Sequence, residues 1–168
     1  MKETYSKRRS FFCCQICLLI IFSFLGFSCN KPLIHEDGKT FINQNWNRFD
    51  ILEYKVPLEK QSKPVNIMVV FVHTDEYPND YIDLNVTLYM PDGGMRTRDY
   101  MFSLKDENGG WSGEVKNGLY RAELPVMQSL IINEGAEYRI RIENKLTKFN
   151  TPGIEKVGYI IKKSPKQQ

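Results

Sequence analysis

One short segment of the chain combines side chains that acid–base or metal chemistry needs. In His73-Thr74-Asp75-Glu76 an imidazole stands close to two carboxylates, and such a group can bind a divalent cation or transfer a proton when further ligands converge on it. The same residues also fit a polar strand end that enters a loop. Because a real site needs further partners from distant segments, and the sequence does not show such convergence, we expect neither a metal site nor a catalytic site here.

The motifs of the common enzyme classes are missing from the sequence. The chain has only two histidines, and it contains no Gly-x-Ser-x-Gly, no His-Glu-x-x-His and no glycine-rich phosphate loop. Its 20 acidic residues allow a glycosidase-like carboxylate pair at some separation, so the presence of such a pair carries little weight. The sequence therefore favours a protein that is not an enzyme and needs no cofactor.

The charge distribution argues against nucleic acid as a partner. The chain has 168 residues, 23 of them basic and 20 acidic, and four of the basic residues and one acidic residue lie within the first ten positions. The rest of the chain is therefore neutral, with 19 residues of each sign. Binding to phosphates needs clustered, uncompensated Lys and Arg. The length suits one domain.

The N-terminal segment has the layout of an export signal. All four cysteines lie within the first 29 residues, and a basic stretch precedes an uncharged apolar run at 11–28. The run ends in Leu25-Gly26-Phe27-Ser28-Cys29, which resembles the lipobox of bacterial lipoproteins. We predict a lipoprotein signal peptide at 1–28 and lipidation of Cys29. An ordinary cleaved signal peptide and an uncleaved membrane helix are the alternatives, since 18 residues are at the lower limit for a span.

The chain after the cysteine divides into three parts. Residues 30–40 show no hydrophobic period, so we interpret 29–45 as the lipidated cysteine and a tether. Residues 46–162 form the folded domain. The charged residues 163–168 are expected to be a disordered tail.

The folded domain has the alternating pattern of an all-β protein. From Phe49 onward, short apolar runs of period two are separated by turns about every ten residues. We predict a single antiparallel β-sandwich, of the jelly-roll or immunoglobulin-like type, with about seven or eight strands. The clearest inward-facing sets are Ile82, Leu84, Val86 and Leu88 in one strand and Tyr138, Ile140 and Ile142 in another.

Two strands depart from simple alternation. The segment Val65 to Val72 is apolar in both phases from Ile67 on, which predicts a central strand that is covered on both faces. The apolar phase changes within 49–56, which predicts a bulge near residues 51 and 52.

Three aromatic residues are the candidates for contact with a partner. Trp46 and Trp111 stand among Gly, Asn and Ser, surroundings that fit either a ring packed on the rim of the sandwich or an exposed platform for a sugar or a protein. Tyr77 is the third candidate. If the rings are platforms for a sugar, the protein is a glycan-binding surface lipoprotein.

Several motifs occur in an order that resembles the GldH family of gliding-motility lipoproteins of Bacteroidota. They run from about Phe41 to Lys162, and the most specific is the turn that contains Trp111. The motifs are Asn43-Gln44-Asn45-Trp46, Tyr77-Pro78, Pro91-Asp92-Gly93, Lys105-Asp106-Glu107-Asn108-Gly109-Gly110-Trp111-Ser112-Gly113 and Glu134-Gly135-Ala136-Glu137-Tyr138.

The resemblance implies an envelope-anchored, non-enzymatic component associated with gliding motility and type IX secretion. It implies membrane attachment through the lipid on Cys29 and partners among the envelope proteins of that machinery, with no small-molecule substrate. Lipoproteins that Bacteroidota export to the cell surface resemble one another in having acidic residues directly after the cysteine. Here Asn30-Lys31-Pro32 follows Cys29 instead, so the comparison implies a periplasmic location on the inner or outer membrane. A glycan-binding lipoprotein and an envelope hydrolase with an unrecognised carboxylate site or a His73 site are the other classes.

Overall fold

The computed structural model describes residues 33–165. The predicted signal peptide, Cys29 and residues 166–168 lie outside this range. Within it, no helix has the length and apolarity needed to cross a membrane. The described chain forms these strands: β1 (Leu33–Thr40), β2 (Asn45–Asn47), β3 (Leu52–Leu58), β4 (Val65–His73), β5 (Tyr81–Tyr89), β6 (Met95–Ser103), β7 (Glu114–Lys116), β8 (Leu119–Leu130), β9 (Ala136–Asn144), β10 (Asn150–Pro152) and β11 (Ile154–Lys163).

The long strands form a jelly roll. Sheet 1 has the order β1-β11-β4-β8-β7, sheet 2 has the order β3-β9-β5-β6, and β2 pairs with β10. Among the eight long strands, the first pairs with the last, the second with the seventh, the third with the sixth and the fourth with the fifth. The chain is thus one long antiparallel hairpin wound into two sheets. The predicted antiparallel sandwich is confirmed, in its jelly-roll form.

The core lies between the two sheets and comes from alternate residues of each strand. The side chains that the pattern placed inward on β5 are buried, Ile82 and Leu84 completely, and so are Tyr138, Ile140 and Ile142 on β9. Sheet 1 supplies Val69 and Phe71 from β4, also without exposure. Burial of apolar area at roughly 25 cal/mol per Å² is the main stabilising term of such a core.

The central position predicted for β4 is confirmed, because it is the third strand of five in sheet 1. Its other face carries Val70, which has no exposure, and Val72, and Ile160 of β11 lies beside them. Charged side chains of the neighbouring strands surround this second apolar cluster. The ion pairs are Arg121 with Glu36 at 3.1 Å, Arg121 with Glu123 at 3.3 Å and Lys162 with Glu123 at 2.6 Å, and we call them the outer ion-pair cluster.

The predicted tether at 29–45 needs correction at Leu33–Thr40, because these residues form strand β1. It pairs with β11 over almost its whole length. His35 stacks on Tyr159 with ring centroids 5.6 Å apart, and the Tyr54 hydroxyl accepts a hydrogen bond from the Lys39 N–H at 3.2 Å. An edge strand that is held by backbone pairing and polar contacts needs no apolar period, so the pattern did not reveal it.

Two smaller predictions also need correction. Residues 49–51 belong to the connection before β3, and the β3–β9 register has no shift, so the change of apolar phase marks a strand end and not a bulge. The predicted disordered tail starts too early, because Lys163 ends β11 and the Ser164 N–H donates to the Pro64 carbonyl at 2.8 Å.

Two glycines let β1 and β11 approach closely. Gly38 and Gly158 are opposite each other in the register, and a Cβ at position 158 would lie only 2.5 Å from the Gly38 Cα, against backbone atoms that cannot move away. We therefore expect Gly158→Ala to destabilise the domain by about 2 kcal/mol or more. Gly135→Ala is the control, because its nearest neighbour lies 3.5 Å away, an ordinary contact. Urea denaturation checks both variants, and equal midpoints would contradict the close approach.

Candidate interaction site

Three of the residues singled out in the sequence meet at one end of the sandwich. His73 is the last residue of β4, and its ring centroid lies 4.6 Å from that of Trp111, 5.3 Å from that of Tyr77 and 5.4 Å from that of Tyr120. We call these four residues the His73 cluster. Tyr77 comes from the β4–β5 connection and Trp111 from the β6–β7 connection, so the cluster joins loops that are distant in sequence.

The imidazole of His73 is held in one neutral form. Its Nδ1 lies 2.8 Å from the Thr74 carbonyl oxygen, and because a carbonyl only accepts, Nδ1 carries the proton. Its Nε2 is buried and has no hydrogen-bond partner among residues 33–165. Burial lowers the pKa of His73 below its ordinary value of 6.5, and the bond to Thr74 opposes this shift.

The chemistry considered for His73-Thr74-Asp75-Glu76 is not assembled in the structure. His73 has no exposure, whereas Asp75 and Glu76 are exposed on the loop. Within the described range, no three His, Cys, Asp or Glu side chains are placed to hold a metal ion. The imidazole is surrounded by aromatic rings, which suits a packing role.

The aromatic residues predicted to contact a partner are largely enclosed. Trp46 has no exposed surface and Tyr77 only 3%, so neither ring offers a face for stacking. Trp111 is half-buried, and the Lys105 ammonium lies 4.8 Å from its ring centroid. A cation–π contact of this kind occupies a ring face that a sugar would need.

Trp46 instead supports a neighbouring loop. Its indole N–H donates to the Asp50 carbonyl at 2.9 Å, and the Asp50 N–H donates to the Asn47 carbonyl at 2.9 Å. The Arg48 N–H donates to the Phe149 carbonyl at 2.9 Å, which ties this loop to the β9–β10 connection. These bonds fix the backbone of residues 47–50.

The loop that Trp46 supports carries an exposed apolar surface. Phe49 is 71% exposed and Phe149 57%, and their ring centroids lie 5.5 Å apart in an edge-to-face arrangement. Ile42, in the β1–β2 connection, is 99% exposed and borders a depression of about 290 Å³ that Asn47 and Asn150 also line. We call Ile42, Phe49 and Phe149 the Phe49 tip. Exposed apolar side chains that contact one another, as Phe49 and Phe149 do, are typical of interaction surfaces, whereas single exposed apolar residues are ordinary.

The charges near the Phe49 tip are mostly positive. The Arg48 guanidinium lies 5.7 Å from the Phe49 ring centroid and donates to the Thr147 carbonyl at 3.2 Å. Lys39 is paired with Asp50 at 2.6 Å.

Sequence reasoning missed the Phe49 tip, because Phe49 was assigned to the start of a strand. The available signal was an aromatic residue between the polar neighbours Arg48 and Asp50.

The fold and its surfaces define a jelly-roll domain with an exposed apolar tip and with largely enclosed aromatic residues where a ligand platform was considered. A family model described as GldH lipoprotein matches residues 34–161, most of the chain. The protein therefore belongs to the GldH lipoprotein family, as the order of its motifs indicated. A relative named gliding motility lipoprotein GldH, from Flavobacterium johnsoniae, is 19% identical over 139 residues, which cover 82% of this chain and 86% of the relative. The chain is thus a gliding-associated lipoprotein anchored to a membrane of the cell envelope.

Solved structures resemble the domain only loosely. A carbohydrate-binding module specific for non-crystalline cellulose has a TM-score of 0.37 at 11% identity, covering 74% of this chain and 69% of its own. The VP2 subviral particle of infectious bursal disease virus has a TM-score of 0.37 at 14% identity, covering 80% and 33%. Both values are too low to support a functional argument.

The buried neutral imidazole of His73 predicts a loss of stability in mild acid. Below pH 6.5 the unfolded chain binds a proton at this position and the folded chain does not, so stability falls as the pH decreases from 6.5 towards the lowered folded-state pKa. Above pH 6.5 this group contributes no pH dependence. Urea midpoints between pH 8 and pH 5 check the slope, which His73→Asn should reduce. His35→Asn is the control, and a slope that disappears with His35 alone would contradict the assignment.

Proposed function

We propose that this lipoprotein is a non-enzymatic adaptor of the gliding machinery and of the associated type IX secretion apparatus. The Phe49 tip is the observation that supports the proposal, because it is an apolar surface built for contact with another molecule. A lipid on Cys29 holds the protein at the membrane, on the periplasmic side, and the tip contacts an envelope protein of that machinery.

The placement of the tip suits an anchored adaptor. Thr40 ends β1 next to the loop with Ile42, and Leu33 begins the strand seven residues earlier, which is a distance of about 23 Å along an extended strand. Three residues separate Cys29 from Leu33 in the sequence, and they span at most about 14 Å. Lipidation of Cys29 therefore ties the Leu33 end of β1 to the membrane and leaves the opposite end free for a partner.

Lipidation of Cys29 is tested by Cys29→Ser in the full chain. We expect the variant to fold and to leave the membrane fraction, because acyl chains supply about 0.8 kcal/mol per buried CH₂ group and are the only anchor in this proposal. Cys17→Ser is the control and should remain in the membrane fraction. If the Cys29 variant stays membrane-bound, an uncleaved apolar helix at 11–28 is the anchor instead.

The role of the Phe49 tip is tested by the double variant Phe49→Ser and Phe149→Ser. Both side chains are more than half exposed, so we expect the domain to remain folded and membrane-bound. Cross-linking in intact cells, followed by purification from detergent-solubilised envelopes, should recover gliding or type IX secretion proteins with the natural chain and few with the variant. Ile131→Ser is the control, because it removes a similarly exposed apolar side chain, 64% accessible, from a different loop. The same protein partners should be recovered with this variant as with the natural chain. Equal recovery with the tip variant would exclude the tip as the contact surface.

A further inference from the structure

The edges of the two sheets differ in how well they are protected from another strand. The sheets end in β1 and β7 and in β3 and β6. The Lys39 N–H of β1 is bonded to Tyr54 of β3, which links these two edges on one side of the sandwich. Pro57 interrupts the hydrogen-bonding capacity of β3, and β7 has three residues. These are the usual means by which proteins block edge pairing.

Strand β6 has none of these features. It has nine residues without Pro or Gly, and its register with β5 is unbroken from Tyr81–Ser103 to Tyr89–Met95. No other strand of the described range pairs with it. The side of the sandwich that β6 borders is therefore open along a full strand.

The backbone groups available on β6 follow from its pairing with β5. The Met90 N–H donates to the Gly94 carbonyl at one end, and the Leu104 N–H donates to the Asp80 carbonyl at the other, both at 2.8 Å. In an antiparallel pair the bonded positions alternate. Even-numbered residues of β6 therefore face β5, and the free N–H and C=O groups are those of Met95, Thr97, Asp99, Met101 and Ser103.

A groove separates this open edge from sheet 1. Its volume is about 280 Å³, and its walls include Arg96 and Arg98 of β6 and Gln128 of β8. Tyr100 of β6 donates a hydrogen bond from its hydroxyl to the Val126 carbonyl on β8, which fixes the spacing of the two walls.

Arg96 and Arg98 point to the inner side of sheet 2, towards this groove. Their register partners on β5 are Leu88 and Val86, which are buried in the core, and opposite residues of a pair share one face. Neither arginine lies within 4.0 Å of a carboxylate in the described part of the chain, whereas Arg121, Arg139 and Arg141 all do. Within residues 33–165 the groove therefore carries two guanidinium groups without a carboxylate partner, about 7 Å apart along the strand. The Arg98 guanidinium lies 6.0 Å from the Tyr100 ring centroid.

Inward-pointing charges on an edge strand also prevent unwanted pairing. This protection is selective, because an apolar strand would bury the two guanidinium groups without partners, whereas a strand with carboxylates would pair with them. Arg forms its strongest bonds with carboxylates, in a two-pronged geometry. Rejection of apolar strands and acceptance of acidic ones are thus two results of the same pair of residues.

We propose that β6 is a β-strand addition site for an extended acidic segment of a partner protein. The segment pairs with the free backbone groups of β6, and acidic side chains at every second position enter the groove to meet Arg96 and Arg98. The inference specifies a partner for the proposed adaptor role and rests on that role only for the existence of a protein partner.

The probe is a synthetic peptide of alternating Glu and Val, long enough to span β6, titrated by fluorescence anisotropy against the full lipoprotein in detergent. We expect binding that weakens about tenfold or more in the double variant Arg96→Ser and Arg98→Ser. The control variant Lys55→Ser and Arg139→Ser removes two cations that are register partners on the outer face of the same sheet, and it should bind as the natural protein does. A peptide with Lys in place of Glu should not bind.

Backbone pairing is separated from simple charge attraction by the same peptide with N-methylated amides, which keeps its charges and cannot form the strand ladder. Loss of binding supports strand addition. Equal binding of the methylated peptide, or equal binding to the Arg96 and Arg98 variant, overturns it. A failure here leaves the adaptor proposal to be decided by the cross-linking of the Phe49 tip variant, since that experiment does not involve β6.

Discussion

The structure depends on excluding water from both faces of β4. The inner face of β4 packs against sheet 2, but the outer face, with Val70 and Val72, has no third layer over it in the described range. The outer ion-pair cluster covers this outer face in place of a third layer. The long stems of Arg121 and Lys162 can cover apolar surface while their charged ends stay at the solvent, and pairing with Glu36 and Glu123 holds them there. This requirement links β1, β11, β4 and β8, because each strand contributes to the cluster or to the surface beneath it.

The same constraint shows why part of the fold could be predicted from the sequence. The inward residues of β5 and β9 alternate cleanly because one face of each strand is core and the other is solvent, and β4 is apolar in both phases because both faces are covered. Strand β1 could not be predicted in this way. Its pairing partner, β11, is more than 100 residues away in sequence, and its contacts are backbone bonds, a His–Tyr stack and a tyrosine hydroxyl, none of which leaves a hydrophobic period.

The candidate sites were harder to predict than the strands. Trp46, Tyr77 and Trp111 were selected as candidates for contact with a partner, but their sequence neighbours do not distinguish a ring that supports a loop from a ring that faces solvent. The burial of Trp46 follows from its hydrogen bond to Asp50 and its packing beside Phe41, with ring centroids 5.8 Å apart. The loop that Trp46 supports holds Phe49 in an exposed position. Arg96 and Arg98 were not noticed, because residues 96–99 of β6 are polar in both phases and the inward direction is set only by the register of β6 with β5.

The pairing of β1 with β11 has a mechanical consequence. In a jelly roll the first strand is bonded to the last, and here seven register pairs join them. If the N-terminal end of β1 is pulled while the domain is held through β11 or the strands bonded to it, the tension runs along the strand axis. All the β1–β11 bonds then resist together in shear, and they do not open one after another as in a zipper. The pairing of the first strand with the last therefore determines how the domain resists a pull on its N-terminal end.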